Sequence, residues 1–102
     1  MPVYLIIEAR VKDQEKYEKY TSGLSAIVPS FGGSYLVHGG RARTLNEGLK
    51  PDRRQPGRFL VLEFPSEVDL RRCWASPEYK SIMSYGHDGA ETRAVMLEGD
   101  NL

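Results

Sequence analysis

The sequence lacks features that mark several large classes of protein. It has one cysteine, Cys73, which cannot form an internal disulfide, and its 14 basic residues balance 14 acidic ones. A single cysteine fits a reducing compartment, so we expect a cytoplasmic protein. Proteins that bind nucleic acids or anionic membranes in general carry a basic surplus, so we expect neither partner.

Long apolar runs and the usual ligand motifs are missing as well. No segment reaches the ~20 apolar residues of a membrane span, and Glu8 interrupts the first apolar run, which predicts a strand rather than a signal peptide. The two histidines, His38 and His87, lie far apart, and there is no H-x-x-x-H, G-x-G-x-x-G or Walker pattern. We therefore expect no metal and no cofactor.

The first third of the chain shows a strand followed by a helix. In Val3–Val11 the odd positions are apolar and the even positions are mixed, which predicts a strand with one face against helices. Asp13 is in place to cap a helix that carries Tyr17 and Tyr20 at helical spacing. The helix should end before Pro29, because the residue before a proline avoids the helical region.

Two glycine pairs, Gly32-Gly33 and Gly39-Gly40, flank a second predicted strand over Ser34–Val37. Arg41–Leu45 extends this strand past a bulge at the second pair. The next segment, Asn46–Gly57, is a loop with three basic residues. It is either solvated surface or an anion-binding lid.

The second half of the chain repeats the alternation of strand and helix. Arg58–Phe64 is the third predicted strand, and the capping-box pattern of Ser66–Asp69 opens a second helix. The predicted inward residues of that helix are Val68, Leu70, Cys73 and Trp74. A further helix begins at Pro77 and ends at Gly86–Gly89, and Thr92–Glu98 forms the last strand.

The resulting order, β-α-β-β-α-β, predicts an α+β fold: a ferredoxin-like sandwich with an antiparallel sheet, formed by one domain over residues 1–102. The alternation within the strands places Glu63 and Arg93 on the sheet face that has no helices. A small pocket is expected between the sheet and the helices.

Three charged or titratable residues are predicted to carry chemistry. His38 follows a strand beside glycines and titrates near neutrality, so it is either a general base or an exposed strand-end histidine. Glu63 lies on a mostly apolar strand, so it either pairs with Arg93 or Arg10 or transfers a proton. In the second case Arg93 would hold a substrate carboxylate or enolate.

Aromatic residues are the predicted ligand-binding group: Tyr35, Trp74 and Tyr79. Each is either a core residue with its polar atom at the rim or a platform for a ligand. His87 beside Asp88 is an oriented base or part of a solvated loop between glycines. Cys73 is expected to be a small buried residue.

Four stretches in fixed order resemble a bacterial family of proteins about a hundred residues long, catalogued as a domain of unknown function. They are YLIIEARVKDQEKYEKY, FGGSYLVHGG, LVLEFPS, and SPEYKSI leading to TRAVMLEG, and together they span nearly the whole chain. The family is similar to the dimeric α+β barrel superfamily. The resemblance implies a homodimer in which two open sheet faces pack together as a barrel.

The same resemblance sets the functional expectations. Members of the superfamily include cofactor-independent monooxygenases, lactone isomerases and dehydrating enzymes, and also proteins without known activity. The run MSYGHDG departs from the family pattern, in which a basic helical stretch with an arginine follows SPEYKSI. If a family pocket uses that arginine, this chain lacks it, and His87 is a poor substitute.

Three classes of function therefore stay open. The first is a small-molecule site for cofactor-free proton transfer, oxidation or isomerisation of an organic acid or ring compound. The second is a homodimer that binds a ligand or serves a structural role without turnover. The third is nucleic-acid binding through Arg53 and Arg54, which the balanced charge disfavours.

Overall fold

The structure, a computed structural model, describes residues 1–43, 45 and 57–99. Within these residues four strands form one antiparallel sheet in the order β2-β3-β1-β4, and three helices lie against it. The strands are β1 (Val3–Val11), β2 (Ser34–Arg41), β3 (Arg58–Phe64) and β4 (Ala90–Glu98). The helices are α1 (Gln14–Ile27), α2 (Glu67–Ala75) and α3 (Pro77–Gly89), with a short 3-10 helix at Val28–Phe31. This is the predicted α+β ferredoxin-like fold.

The two faces of the sheet differ as the sequence alternation predicts. Val3, Leu5 and Ile7 of β1 are buried, and the cross-strand register pairs them with buried residues of β3. This covered face packs against the helices in one core, whose largest fully buried side chains are Phe64, Leu24, Leu60, Leu62, Val28 and Cys73. The other side of the sheet, here called the open face, carries the partly exposed even residues of β1 and their neighbours across the strands.

Side-chain caps fix where the three helices begin. The carboxylate of Asp13 accepts a hydrogen bond from the Lys16 amide, and Ser76 accepts one from the Tyr79 amide at 3.1 Å. Ser66 accepts from the Asp69 amide and donates its hydroxyl hydrogen to the Asp69 carboxylate at 2.9 Å. In this capping box the two side chains therefore bond to each other, whereas the sequence pattern predicts that the acid bonds to the backbone.

Several predicted boundaries and orientations need correction. Helix α3 runs through Gly86–Gly89, where the sequence predicts its end, so His87 is helical and not in a loop. Val68 is predicted to face inward but is 64% exposed, because Leu70 and Cys73 define the inner side of α2 and Val68 faces away from them. Strand β2 has irregular pairing near its glycines, as the predicted bulge requires, but it ends at Arg41 and not at Leu45 as the sequence predicts.

Helix α3 crosses α1 at glycines, which explains why it tolerates two of them. A Cβ on Gly86 would lie 2.8 Å from the Tyr20 ring, and one on Gly89 would lie 2.6 Å from the Tyr17 backbone nitrogen. The close approach of the two helices requires both glycines, and this packing outweighs the poor helix propensity of glycine.

The predicted basic loop falls on residues 46–56, which lie outside the described part of the chain. Both of its interpretations, solvated surface and anion-binding lid, stay predictions. In the described ranges, no helix has the length and apolar character needed to cross a membrane.

The thiol of Cys73 gives a first testable consequence of this core. The residue is fully buried, and burial first, with the charge of Glu78 second, raises the pKa of its thiol from 9.0 to about 11. The thiol therefore stays neutral in the folded chain where it would ionise in the unfolded chain. We expect the free energy of unfolding to decline as the pH rises through 9 towards 11.

A thiol reagent measures this protection directly. At pH 8 we expect native Cys73 to react more than about 100-fold more slowly than Cys73 in denatured protein, because reaction requires local or global opening. Native and denatured rates that agree within about tenfold would show that the thiol is accessible in the folded protein.

Candidate small-molecule site

A cavity of about 290 Å³ lies on the covered face, between the sheet and helix α3. The sheet contributes side chains from β1 and β4, and the helices contribute the aromatic residues. Its lining residues are Ile7, Tyr20, Trp74, Tyr79, Met83, Gly86, His87, Thr92 and Ala94. The four from α3 follow the spacing i, i+4, i+7 and i+8, so they share one face of that helix. We call this cavity the aromatic pocket.

Three aromatic rings give the pocket its character. The rings of Trp74 and Tyr79 are stacked, with centroids 4.4 Å apart and an interplanar angle of 25°. The Tyr20 ring meets Tyr79 edge-on, at 6.2 Å and 77°. Rigid aromatic walls with few polar atoms are typical of sites that hold a ring compound.

The hydroxyl groups of Tyr20 and Tyr79 lie 3.0 Å apart and form a buried hydrogen bond. Two hydroxyls carry two hydrogens, and their mutual bond uses only one of them. The second hydrogen has no partner among the described residues, so it is available to a ligand oxygen. The pair thus supplies a hydrogen-bond donor to an otherwise apolar cavity.

Burial keeps both hydroxyls protonated. It is the largest cause that raises the pKa of Tyr20, and it also raises the pKa of Tyr79, while the hydrogen bond from Tyr20 acts in the opposite direction on Tyr79. Donation by one hydroxyl to the other polarises the remaining O–H, which strengthens it as a donor.

His87 is the imidazole that borders the pocket. It lies in the last turn of α3, its side chain is exposed, and it borders the cavity from the rim. Its position on the helix, eight residues after Tyr79, places both on the same side of α3. An imidazole at the mouth of a cavity can exchange protons with solvent and with a ligand.

The structure does not place His38 in this pocket. Its strand β2 pairs with β3 so that His38 lies opposite Leu60, on the covered face but at the far edge of the sheet from β4. Its Nε2 lies 3.1 Å from the Ser25 hydroxyl, and its ring lies against the Tyr35 ring at 4.7 Å. Tyr35, predicted to bind a ligand, is not among the residues that line the aromatic pocket.

Glu63 and Arg93 lie on the open face, as predicted, but they are not neighbours. Glu63 is opposite Tyr4 and Arg93 is opposite Glu8, so the two are separated by four residues along β1, about 13 Å. The carboxylate of Glu63 raises the pKa of Tyr4, by hydrogen bonding and then by its charge. The register therefore separates Glu63 from Arg93 within one chain, and an ion pair of Glu63 with Arg93 or Arg10 in a dimer stays a prediction.

Glu8, and not Glu63, is the open-face carboxylate that has arginines as neighbours. Its Oε2 lies 3.6 Å from Arg10 and accepts a hydrogen bond from the Gly57 amide at 3.1 Å. Cross-strand register places Arg93 directly opposite it. Sequence reasoning missed this role because Glu8 and Glu63 occupy equivalent alternating positions on two strands, and only the register distinguishes them.

The candidate trio of His38, Glu63 and Arg93 is therefore divided between both faces of the sheet. Trp74 and Tyr79 do meet, together with His87. Tyr20, which its helical spacing predicts as a core residue, is the polar partner that sequence reasoning missed. The sequence does contain one indication of this role: Tyr20 places a second tyrosine hydroxyl on the inner side of α1, where a side chain without a hydroxyl would pack equally well.

The open face has an apolar centre. One row of side chains crosses all four strands in register: Val37, Val61, Ile6 and Val95. The valines on the two edge strands are 41% and 40% exposed. The neighbouring rows are mixed: they contain the polar and charged Tyr4, Glu63, Glu8 and Arg93, and also Leu97 and Phe59.

Residues 2–100 match the sequence pattern of a family described as a domain of unknown function, DUF1330. The chain belongs to that family. A comparison of this DUF1330 chain with curated proteins yields no match.

Solved structures with the same fold resemble the DUF1330 chain over almost its full length. A protein of unknown function from Rhodopseudomonas palustris has a TM-score of 0.78 at 16% identity, covering 99% of this chain and 84% of its own. A dimeric ferredoxin-like protein of unknown function from Jannaschia sp. CCS1 has a TM-score of 0.72 at 11% identity, covering 97% and 100%. A cofactor-independent oxygenase from Streptomyces nogalater has a TM-score of 0.64 at 11% identity, covering 99% and 95%. At such identities the similarity establishes the fold alone.

Proposed function

We propose that this DUF1330 protein is a homodimer that binds a planar, oxygen-bearing ring compound in the aromatic pocket and transfers a proton on it without a cofactor. The observation that carries the proposal is the Tyr20–Tyr79 hydroxyl pair, which has a donor hydrogen to spare inside an aromatic cavity. Proton transfer is the part of the predicted chemistry that needs only groups this chain holds.

The open face supports the dimer. A lone two-layer domain would leave the row of Val37, Val61, Ile6 and Val95 in water, and packing two such rows together would remove both from it. The similar Jannaschia protein is described as dimeric, and its chain is covered completely in the comparison. The charged groups in the rows around the apolar centre would then lie at the edge of the interface, where they fix its register.

The pocket supports the ligand class. Stacked Trp74 and Tyr79 offer flat surfaces to a planar ring, and a cavity of about 290 Å³ suits a molecule of one or two rings. The spare O–H of the tyrosine pair selects a ligand with an oxygen at that end. A ligand without the oxygen would leave this donor buried and unpaired.

The same groups suit enolisation. His87 would take a proton from the carbon next to a ring carbonyl, and the C–H electron pair would move to give an enolate. The O–H of Tyr79 would donate to the enolate oxygen as its negative charge develops. Return of the proton from His87 to carbon restores the ketone or yields its isomer, so atoms and charge balance without an oxidant.

Exchange of solvent deuterium into 2-tetralone, an enolisable two-ring ketone, tests this proposal. The proteins compared by proton NMR are wild type, His87→Ala and Tyr79→Phe, with Tyr85→Phe on the exposed side of α3 as the matched control. We expect Tyr79→Phe to slow catalysed exchange by about 100-fold, as loss of an oxyanion donor does, and His87→Ala to slow it by a similar factor. Equal exchange rates in Tyr79→Phe and Tyr85→Phe would contradict the assignment.

A second candidate, ligand binding without turnover, has one observation in its favour. Within the described residues no hydrogen bond orients the His87 ring, whereas a general base is usually held by a partner. Calorimetric binding of 2-naphthol, a planar mimic of the enol, separates the two. Weaker 2-naphthol binding by Tyr79→Phe, with no catalysed exchange in wild type, would identify a binding protein.

A further inference from the structure

A second cleft lies on the other flank of α1, at the edge of the sheet formed by β2 and β3. Its volume is about 180 Å³. One stripe of α1 lines it from above, and His38, Gly39, Arg58 and Leu60 line it from the sheet. The stripe consists of Gln14, Tyr17, Glu18 and Thr21, at helical spacing. We call this the α1 cleft; none of its residues lines the aromatic pocket.

Tyr17 has a buried hydroxyl that the fold leaves unsatisfied. The residue is 4% exposed, and its hydroxyl has no hydrogen-bond partner in the part of the chain that the structure describes. Burial raises the pKa of Tyr17 and the charge of Arg58 lowers it, so the hydroxyl lies near the guanidinium that borders the cleft. A buried donor without a partner destabilises the folded state unless something else accepts its hydrogen.

Arg58 is free to bind a ligand. Its side chain is exposed, and no carboxylate of the described residues pairs with it. The one carboxylate on the cleft wall, Glu18, accepts a hydrogen bond from the Gln14 amide at 2.9 Å. A planar guanidinium with unused N–H groups matches a carboxylate in shape and charge.

His38 adds an imidazole ring whose neutral tautomer the hydrogen bonds of Ser25 define. The hydroxyl hydrogen of Ser25 goes to the carbonyl of Thr21 at 2.9 Å, so the same oxygen must accept from His38 Nε2. The neutral ring therefore carries its hydrogen on Nε2 and leaves Nδ1 as an acceptor, and the protonated ring offers a second N–H. The neutral ring can accept a hydrogen bond from a protonated carboxyl group, and the protonated ring can donate one to a carboxylate.

We propose that the α1 cleft binds a small organic carboxylate, with Arg58 on the carboxylate oxygens and the Tyr17 hydroxyl donating to one of them. The juxtaposition of an unpaired guanidinium and an unpartnered buried hydroxyl across one cleft, within the described residues, carries the inference. The negative charge of Glu18 limits the ligand to a small monoanion. A ligand with more negative charge would be repelled by that carboxylate, and a larger ligand would contact it. The site is independent of the proton transfer proposed for the aromatic pocket.

The test is a ¹H–¹⁵N NMR titration with propionate at constant ionic strength, with propionamide as the uncharged match. Propionate should shift the backbone amides of Thr21, Gly39 and Leu60 in a saturable manner, and propionamide should not. Arg58→Gln should weaken binding by about tenfold or more, as loss of a charge-assisted hydrogen bond does. Arg72→Gln, an exposed arginine on α2, is the control that should leave binding unchanged.

Two tyrosine-to-phenylalanine variants measure what the Tyr17 hydroxyl contributes to propionate binding. Tyr17→Phe should weaken propionate binding by about threefold or more and at the same time raise the melting temperature, because it removes an unsatisfied buried donor. Tyr85→Phe removes a tyrosine hydroxyl on α3, away from the cleft, and should leave propionate binding unchanged.

Three results would overturn the inference: shifts that do not saturate, equal shifts with propionamide, or propionate binding unchanged in Arg58→Gln. Inorganic phosphate is titrated in parallel. If phosphate binds these residues more tightly than propionate, the cleft takes tetrahedral oxyanions and the carboxylate assignment is wrong.

Discussion

Replacing Val95 by lysine should convert the proposed dimer into monomers, with self-association weakened by at least about 1,000-fold. Val95 lies at the β4 end of the apolar row on the open face, directly opposite Ile6. In a two-fold interface each substitution occurs twice, so two unpaired charges would be buried against apolar side chains. The folded monomer should tolerate the change, because Val95 is 40% exposed before any partner covers it.

Sedimentation equilibrium measures the change, and Val68→Lys supplies the control. Val68 is a valine of higher exposure, 64%, on helix α2 rather than on the open face. Val68→Lys should remain dimeric at the concentrations where Val95→Lys is monomeric. If both variants are dimeric, the apolar row is not the interface and the dimer must form through another surface.

The second large effect is expected from Gly89→Ala, which should lower the free energy of unfolding by about 3 kcal/mol. A Cβ at this position would lie 2.6 Å from the backbone nitrogen of Tyr17 and 2.9 Å from its Cα. Backbone atoms cannot rotate away as a side chain can, so α3 must move from α1. The Gly89 carbonyl also accepts hydrogen bonds from the Lys12 and Asp13 amides, which the movement would stretch.

Urea unfolding of Gly89→Ala and Gly39→Ala separates two effects on the free energy of unfolding: the steric cost of an added Cβ and the conformational cost of replacing glycine. Gly39 has a φ of +74°, but a Cβ there would have no neighbouring atom within 4 Å. Alanine at Gly39 should therefore cost only about 1 kcal/mol of backbone strain. For a chain of this length a loss of about 3 kcal/mol corresponds to a melting temperature lower by roughly 12 °C or more. A Gly89→Ala variant as stable as Gly39→Ala would show that the α1–α3 contact is looser than the structure has it.

The strands and caps were predictable because their signals are local. Alternation in Val3–Val11 and Arg58–Phe64 predicts both strands with their observed bounds, and the Ser76-Pro77 pair predicts the start of α3. The end of α3 was not predictable in this way. Its glycines are breakers by propensity, and only their contact with α1, distant in sequence, shows that close packing requires them.

The candidate site was predictable only in part, for a related reason. Strand alternation assigns a residue to a face but not to a row, so Glu63 and Arg93 looked like partners although the register separates them. Trp74 and Tyr79 were singled out by residue type, and both do line the aromatic pocket. The pairing of Tyr79 with Tyr20 depends on how two helices cross, which no local pattern encodes.

A crystal structure of the protein with bound 2-naphthol is the decisive test of the aromatic pocket. We expect the ring to contact Trp74 inside the aromatic pocket and its oxygen to lie about 3 Å from the Tyr79 hydroxyl. A 2-naphthol molecule on the open face, or one in the pocket with its oxygen turned away from the tyrosine pair, would contradict the proposed site.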